Sequence, residues 1–230
     1  NAFKNVIENT SNNVVLNLDH LELKKLKLSK KIYSYSSSDE SEITIKNSGI
    51  ISHEGTNFLI ETSMIGDHFK SNIAGAICIA YLNGISIEDS LLAIKHFSGV
   101  RRRAEFLGST SGISIYDDYG HHPTEIDATI TALKSYVKGK LYVVFQPHRY
   151  TRTQEHIDKF KISLLKADEA IVVDIYPSGE LPIPGVSSKN LEDENIKYIK
   201  SMRAVPSYLK GKVNSGDAVL TIGAGDITLL

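Results

Sequence analysis

Three segments carry most of the residues able to do chemistry. The densest is Asp117-Asp-Tyr-Gly-His-His-Pro-Thr-Glu125, with two carboxylates and two imidazoles in six positions. Asp and His are common ligands of divalent metals, and a histidine titrating near neutrality can serve as an acid or base. A structural use is equally open. Asp118 would orient the turn, while Thr124-Glu125 supports a helix that Pro123 begins. The second segment is Phe145-Gln-Pro-His-Arg-Tyr-Thr-Arg-Thr153. Arg149 and Arg152 lie three apart beside His148, a grouping suited to a carboxylate or phosphate, because the guanidinium fork binds such oxyanions through two parallel hydrogen bonds. A helix starting there would add its positive end. The alternative is an exposed helix start with surface arginines.

The third segment, Gly99-Val-Arg-Arg-Arg-Ala-Glu105, is either a solvated charge run or a set of cations for a transferring phosphoryl group. Two weaker signals accompany these. His68 and Asn72 are four apart, on one face of a helix start, where a cap and a polar pair compete with ligand contact. Gly223-Ala-Gly-Asp-Ile227 follows a strand and would let backbone approach a ligand.

The elements that must position these residues fall into two stretches. In the first, Val14–Leu18, Lys31–Tyr35, Glu42–Lys46 and Asn57–Glu61 read as strands, the last two in an antiparallel patch around Gly49 and Gly55. Leu21–Leu28 is irregular, and Ser34–Ser41 reads as a mobile polar loop. Residues 69–83 form an apolar helix ended by Asn83-Gly84. Ile87–Phe97 is a second helix with Ile87, Leu91, Ile94 and Phe97 on one face.

From Gly112 the order becomes β-α-β-α: a strand Ile113–Tyr116, a helix from Pro123 with Ile126, Ile130, Leu133 and Val137 inward, and a doubly buried strand Leu141–Phe145. A helix Thr153–Lys166 with Ile157, Phe160 and Leu164 inward, then strands Ala170–Ile175 and Ala218–Ile222, complete the pattern. Such alternation specifies an α/β fold with a mostly parallel, Rossmann-like sheet, whose chemistry sits in loops at the strands' C-terminal ends. The boundary between the two stretches falls near Ser98-Gly99, giving regions 1–98 and 99–230.

Composition narrows the classes. With 41% hydrophobic and 23% charged residues and a net charge of -1, the chain has an ordinary globular balance. It has no basic field that would draw nucleic acid or an acidic membrane. No apolar run nears the ~18 residues of a membrane span, and no secretory signal is seen. The single Cys78, in an apolar run, reads as a core residue in keeping with a reducing cytoplasm. The opening Asn1-Ala2-Phe3 has no initiator Met and reads as an excised segment with a tag remnant.

Phe97-Ser-Gly-Val-Arg-Arg-Arg103, the Asp117–Glu125 and Phe145–Thr153 segments and Gly223-Ala-Gly-Asp-Ile227, in that order, resemble the UDP-N-acetylmuramate–L-alanine ligases of the Mur ligase family. The match extends over most of residues 66–227, and the Phe145–Thr153 segment favours these ligases over the related enzymes that recycle murein tripeptide. The resemblance implies a Rossmann-like amino-acid-binding domain at 99–230, preceded by the end of a mixed α/β central ATPase domain at 1–98. It implies an enzyme that phosphorylates the muramate carboxylate with ATP and lets the alanine amine displace phosphate, with UDP-N-acetylmuramate, L-alanine and ATP as partners and ATP and Mg2+ as cofactors. By matching positions, His68 and Asn72 would lie near adenine, Arg103 would reach ATP's phosphates across a cleft, and Asp118 would contact the ribose side. Tyr119, His121, His122, His148, Arg149 and Arg152 would hold alanine and the acyl phosphate, with Arg103, His121 and His148 the catalytic candidates. The sequence departs from the family in four respects: there is no Gly-x-x-x-x-Gly-Lys-Ser/Thr loop, no metal-binding Glu and His of the central domain, Phe69 where Asn is usual, and a short Asn57–Gly66 stretch. It therefore reads as a catalytic half that is inactive alone. Two other readings remain: a stand-alone nucleotide- or amino-acid-binding module, and a metal-dependent hydrolase built on Asp117, Asp118, His121 and His122.

Overall fold

The computed structural model describes residues 2–38, 41–46 and 49–230, which divide into two compact units on either side of Ser98-Gly99. The first contains α1 (Ala2–Asn9), β1 (Val15–Asn17), α2 (Leu21–Lys24), β2 (Tyr33–Ser36), β3 (Ile43–Lys46), β4 (Ile50–His53), β5 (Thr56–Leu59), α3 (Asp67–Leu82) and α4 (Ile87–Lys95). Its sheet runs β1-β2-β3-β4-β5, parallel across the first three strands and antiparallel beyond. Ile43, Ile45 and Ile51 meet Ile73 and Ile77 of α3 in the core. Gly75 lets Tyr35 lie close against α3, since a Cβ there would lie 2.9 Å from the Tyr35 ring. Cys78 is buried in the same core, and burial pushes its thiol up to about 11.

Several expectations need correction here. β4 and α2 were not foreseen. The Ser34–Ser41 stretch is not simply a loop: Ser34 and Ser36 belong to β2, and the hydroxyls of Ser36, Ser37 and Ser38 donate to Asp19. Residues 39 and 40 lie outside the described residues. Phe97 falls beyond α4 and is 45% exposed, so it does not extend that helix's apolar face.

The second unit contains β6 (Glu105–Thr110), β7 (Ile113–Asp118), α5 (Pro123–Tyr136), β8 (Leu141–Phe145), α6 (Tyr150–Leu164), β9 (Glu169–Val172), β10 (Ile196–Tyr198), α7 (Val205–Leu209) and β11 (Ala218–Ile222). Strand order is β10-β9-β8-β11-β7-β6, parallel from β10 to β7, with β6 antiparallel on the edge. This is the expected Rossmann-like sheet with two additions, the edge strands β10 and β6. β6 was missed because Phe106 and Leu107 break the alternation at a bulge. The clue was Ser111-Gly112, both at positive φ (53° and 77°), a hairpin turn matched to strand twist. Tyr142 and Val144 face α7, while Phe145 meets Phe160 of α6 with ring centroids 5.2 Å apart, so both sheet faces are covered.

Register decides where the loops emerge. Asp118 pairs with Ile222, Ile222 with Phe145 and Phe145 with Val172. The four strands therefore end level, and the segments after them open at one edge. Among the described residues, no helix is long and apolar enough to cross a membrane.

Candidate active site

The floor of the site is a network of buried polar groups at those strand ends. Asp117 is 1% exposed; it accepts from Arg102 Nε at 3.1 Å and from the Thr221 hydroxyl at 2.7 Å. Arg102 also donates to the Gly223 carbonyl at 2.6 Å and lies over the Tyr119 ring, 5.0 Å from its centroid. One guanidinium thus ties the segment before β6 to the ends of β7 and β11. Asp118, 2% exposed, accepts from Ala104 N at 2.7 Å and Gly120 N at 2.6 Å. Burial raises its carboxyl above the ordinary range, against the lowering effect of those two amides.

The loop after β7 then enters α5 through a capping box. The His122 ring accepts from Thr124 N at 3.4 Å, and Glu125 accepts from the amides of His121 and His122 at 3.1 and 3.2 Å. Glu125 also faces Arg103 at 3.7 Å. Its carboxyl is lowered on balance: burial opposes ionisation, but the amides of His121 and His122 and the charges of His121 and Arg103 outweigh it.

The loop after β8 carries the arginines. Gln146, 6% exposed, donates to Asp226 at 2.7 Å and accepts from Ile227 N at 3.1 Å, fixing the Gly223–Asp226 turn. Arg149 caps α6 at φ 73°, starting the helix at Tyr150 and not at Thr153, so that Arg152 lies in its first turn. Arg152 Nη1 stands 3.2 Å from His148 Nδ1. His148 stacks on Tyr176, with centroids 5.6 Å apart and planes 12° apart, and its ring centroid is 6.1 Å from that of His121. Burial, then the charges of Arg152, His121 and Arg149, hold His148 below its ordinary value. The start of α6 is not wholly free for an anion: Thr151 donates to Glu180 through N at 3.0 Å and its hydroxyl at 2.7 Å.

The structure therefore brings together Arg103, Tyr119, His121, His148, Arg149 and Arg152, and it bears on four further expectations. His122 uses its Nδ1 in the α5 cap and lies against His156, ring centroids 5.0 Å apart. Asp118 accepts one backbone amide on each carboxylate oxygen and is 2% exposed, so its first use is to tie Ala104 and Gly120 together. The glycines after β11 serve internal packing: a Cβ on Gly225 would sit 2.3 Å from Gln146 Oε1, and one on Gly223 2.7 Å from the Gln146 carbonyl. The hydrolase reading fails because Asp117 and Asp118 are internally bonded and, among the described residues, no three His, Cys, Asp or Glu side chains are placed to hold a metal ion.

His68 and Asn72 belong to the first unit, on α3, with Asn72 exposed. Phe69 between them is 6% exposed and belongs to the core, which accounts for an apolar residue at that position. Sequence reasoning missed Arg102, Gln146, Tyr176 and Thr221. For Arg102 the neighbouring arginines hid the signal; for Tyr176 no motif announced it. A cavity of about 620 Å³ lined by Asp168, Glu169, Glu192 and Lys212 lies at the opposite, N-terminal edge of β9 and β10, away from this chemistry.

Comparison with known proteins speaks to family and fold. The Mur ligase, glutamate ligase domain family matches residues 102–225. A UDP-N-acetylmuramate--L-alanine ligase of Cutibacterium acnes is 35% identical over 216 residues, covering 87% of this chain and 46% of that protein. One from Mycolicibacterium vanbaalenii is 42% identical over 175 residues, covering 73% and 37%. The chain thus spans less than half the length of these relatives. Among solved structures, UDP-N-acetylmuramate-alanine ligase MurC from Thermotoga maritima superposes with a TM-score of 0.70 at 22% identity, covering 86% of this chain and 45% of that one. MurF ligase from Thermotoga maritima in complex with ADP gives 0.76 at 17% identity, covering 96% and 52%. At such identities the two structures speak to the fold alone. Since the family match runs over more than half of the chain, this chain belongs to the Mur ligase family.

Proposed function

We propose that the chain is the amino-acid-receiving part of a cytoplasmic, ATP-dependent UDP-N-acetylmuramate–L-alanine ligase of peptidoglycan precursor synthesis. The observation that carries this reading is the convergence of Arg149, Arg152, His148 and His121 at the level strand ends beside the start of α6. Arg149 and Arg152 supply planar donors for alanine's carboxylate. The amine then faces the muramate acyl phosphate. The C–N bond forms, the C–O bond to phosphate breaks, and the amine's proton passes to the departing phosphate. Arg103, with its guanidinium side chain 42% exposed, offsets charge on the phosphoryl oxygens. On α3, His68 and Asn72 are assigned to adenine.

ATP and Mg2+ belong to the complete enzyme. The described residues do not fit a metal site, so no step is assigned to Mg2+ here. The sequence has no phosphate-cradling Gly-Lys-Ser/Thr loop, so turnover requires a portion of the relatives that this chain does not match.

The test is substitution of Arg149 or Arg152 by Ala in the full-length gene product. Losing a charge-assisted carboxylate contact costs about 1.5–3 kcal/mol, so alanine KM should rise roughly 10- to 150-fold. KM for the UDP-sugar should stay put. An unchanged alanine KM would return both residues to the surface-arginine reading.

A further inference from the structure

Tyr176 lies outside every motif that the sequence singled out, yet it grips His148 from two sides. Its ring stacks on the imidazole with planes 12° apart. Its backbone closes on the same loop: Arg149 N donates to the Tyr176 carbonyl at 2.9 Å, and Tyr176 N to the Pro147 carbonyl at 2.8 Å. The stack sets the plane of the imidazole, and Arg152 sets its rotation, with Nη1 3.2 Å from His148 Nδ1.

A guanidinium carries donors only and keeps its charge, so Nδ1 must present a lone pair to it. The proton of the neutral ring then sits on Nε2. The charged and titratable groups around the ring are Arg149 and Arg152 from α6, His121 from the loop after β7 and Glu180 from the loop after β9. Two fixed cations against one carboxylate, itself bonded to Thr151, work against a second proton on His148.

We infer that Tyr176 is a positioning residue which, with Arg152, holds His148 as a neutral imidazole presenting an Nε2–H donor to the site, not a proton acceptor. The ring state follows from the geometry just given. Only its use toward a substrate oxygen rests on the ligase reading. There it would steady negative charge building on the acyl oxygen as the amine adds.

The experiment is long-range proton–nitrogen NMR of the imidazoles in the 15N-labelled 230-residue chain, with His148 assigned through His148→Gln. The expected spectrum at pH 7 is a neutral His148 with the Nε2–H pattern. Arg152→Met should mix the tautomers, and Tyr176→Ala should move the titration midpoint upward. Tyr176→Phe should restore the original signature, with backbone amide spectra reporting the fold throughout. An Nδ1–H ring or an imidazolium at pH 7 would overturn the inference. So would His148 signals in Tyr176→Ala identical to those of the unsubstituted chain. Because the readout needs no substrate, its failure is separate from failure of the ligase reading, which the alanine KM decides.

Discussion

Replacing Arg102 by Met removes one guanidinium and leaves the Asp117 carboxylate, 1% exposed, with the Thr221 hydroxyl as its remaining side-chain donor. Stripping one partner from a buried ion pair costs about 3–5 kcal/mol, because the other charge remains out of water. Thr221 still serves one oxygen, and Arg102 is 23% exposed, so the lower end applies: about 3 kcal/mol. The Gly223 carbonyl also loses its donor at 2.6 Å, which loosens the turn after β11. For a unit of this size, about 3–5 °C of melting temperature accompanies each kcal/mol, so a fall of about 10 °C is expected. Differential scanning calorimetry of the chain, following the transition of the second unit, reads this directly. Arg101→Met is the control, because Arg101 is exposed and should shift the transition little. If Arg102→Met moves the transition by no more than Arg101→Met does, the proposed anchor is not one.

Other expectations follow from the same network. Gly225→Ala places a Cβ 2.3 Å from Gln146 Oε1 and 2.7 Å from the Tyr176 ring, so it should destabilise the second unit by about 1–3 kcal/mol in urea titrations. Glu125 titrates below its ordinary 4.5 when folded, so its contribution to stability is present above that value and is lost as pH falls through the lowered folded one. Glu125→Gln should accordingly flatten the melting profile below pH 4.5, visible as a shallower acid limb in a thermal scan series. In the full-length gene product, His148→Gln keeps an N–H near the Nε2 position and should retain roughly tenfold more kcat than His148→Ala, which keeps none; equal losses would instead mark a proton acceptor.

How far the sequence led differs between framework and site. Ala218–Ile222, Leu141–Phe145 and the helix from Pro123 read clearly because each is an apolar run or a 3.6-residue pattern bounded by turn residues. β6 was hidden because its alternation breaks at the bulge between Phe106 and Gly108. The start of α6 was misplaced because an arginine, not a Ser, Thr, Asp or Asn, occupies the cap at positive φ. The segments of the site were legible by composition, but their division of labour was not. Whether an aspartate meets substrate or two backbone amides depends on which loops the sheet register brings alongside, as Asp118 shows with Ala104 and Gly120. The same holds for Arg102 and Arg103, adjacent in sequence: one is an internal tie to Asp117 and Gly223, the other faces Glu125 with its side chain still 42% exposed.

The most direct test of the functional account is phosphate release from ATP in the presence of UDP-N-acetylmuramate and L-alanine, comparing the 230-residue chain with the full-length gene product. The account predicts alanine-dependent release by the full-length product and none by the chain alone. Release by the chain alone, or silence from the full-length product with all three substrates present, would contradict it.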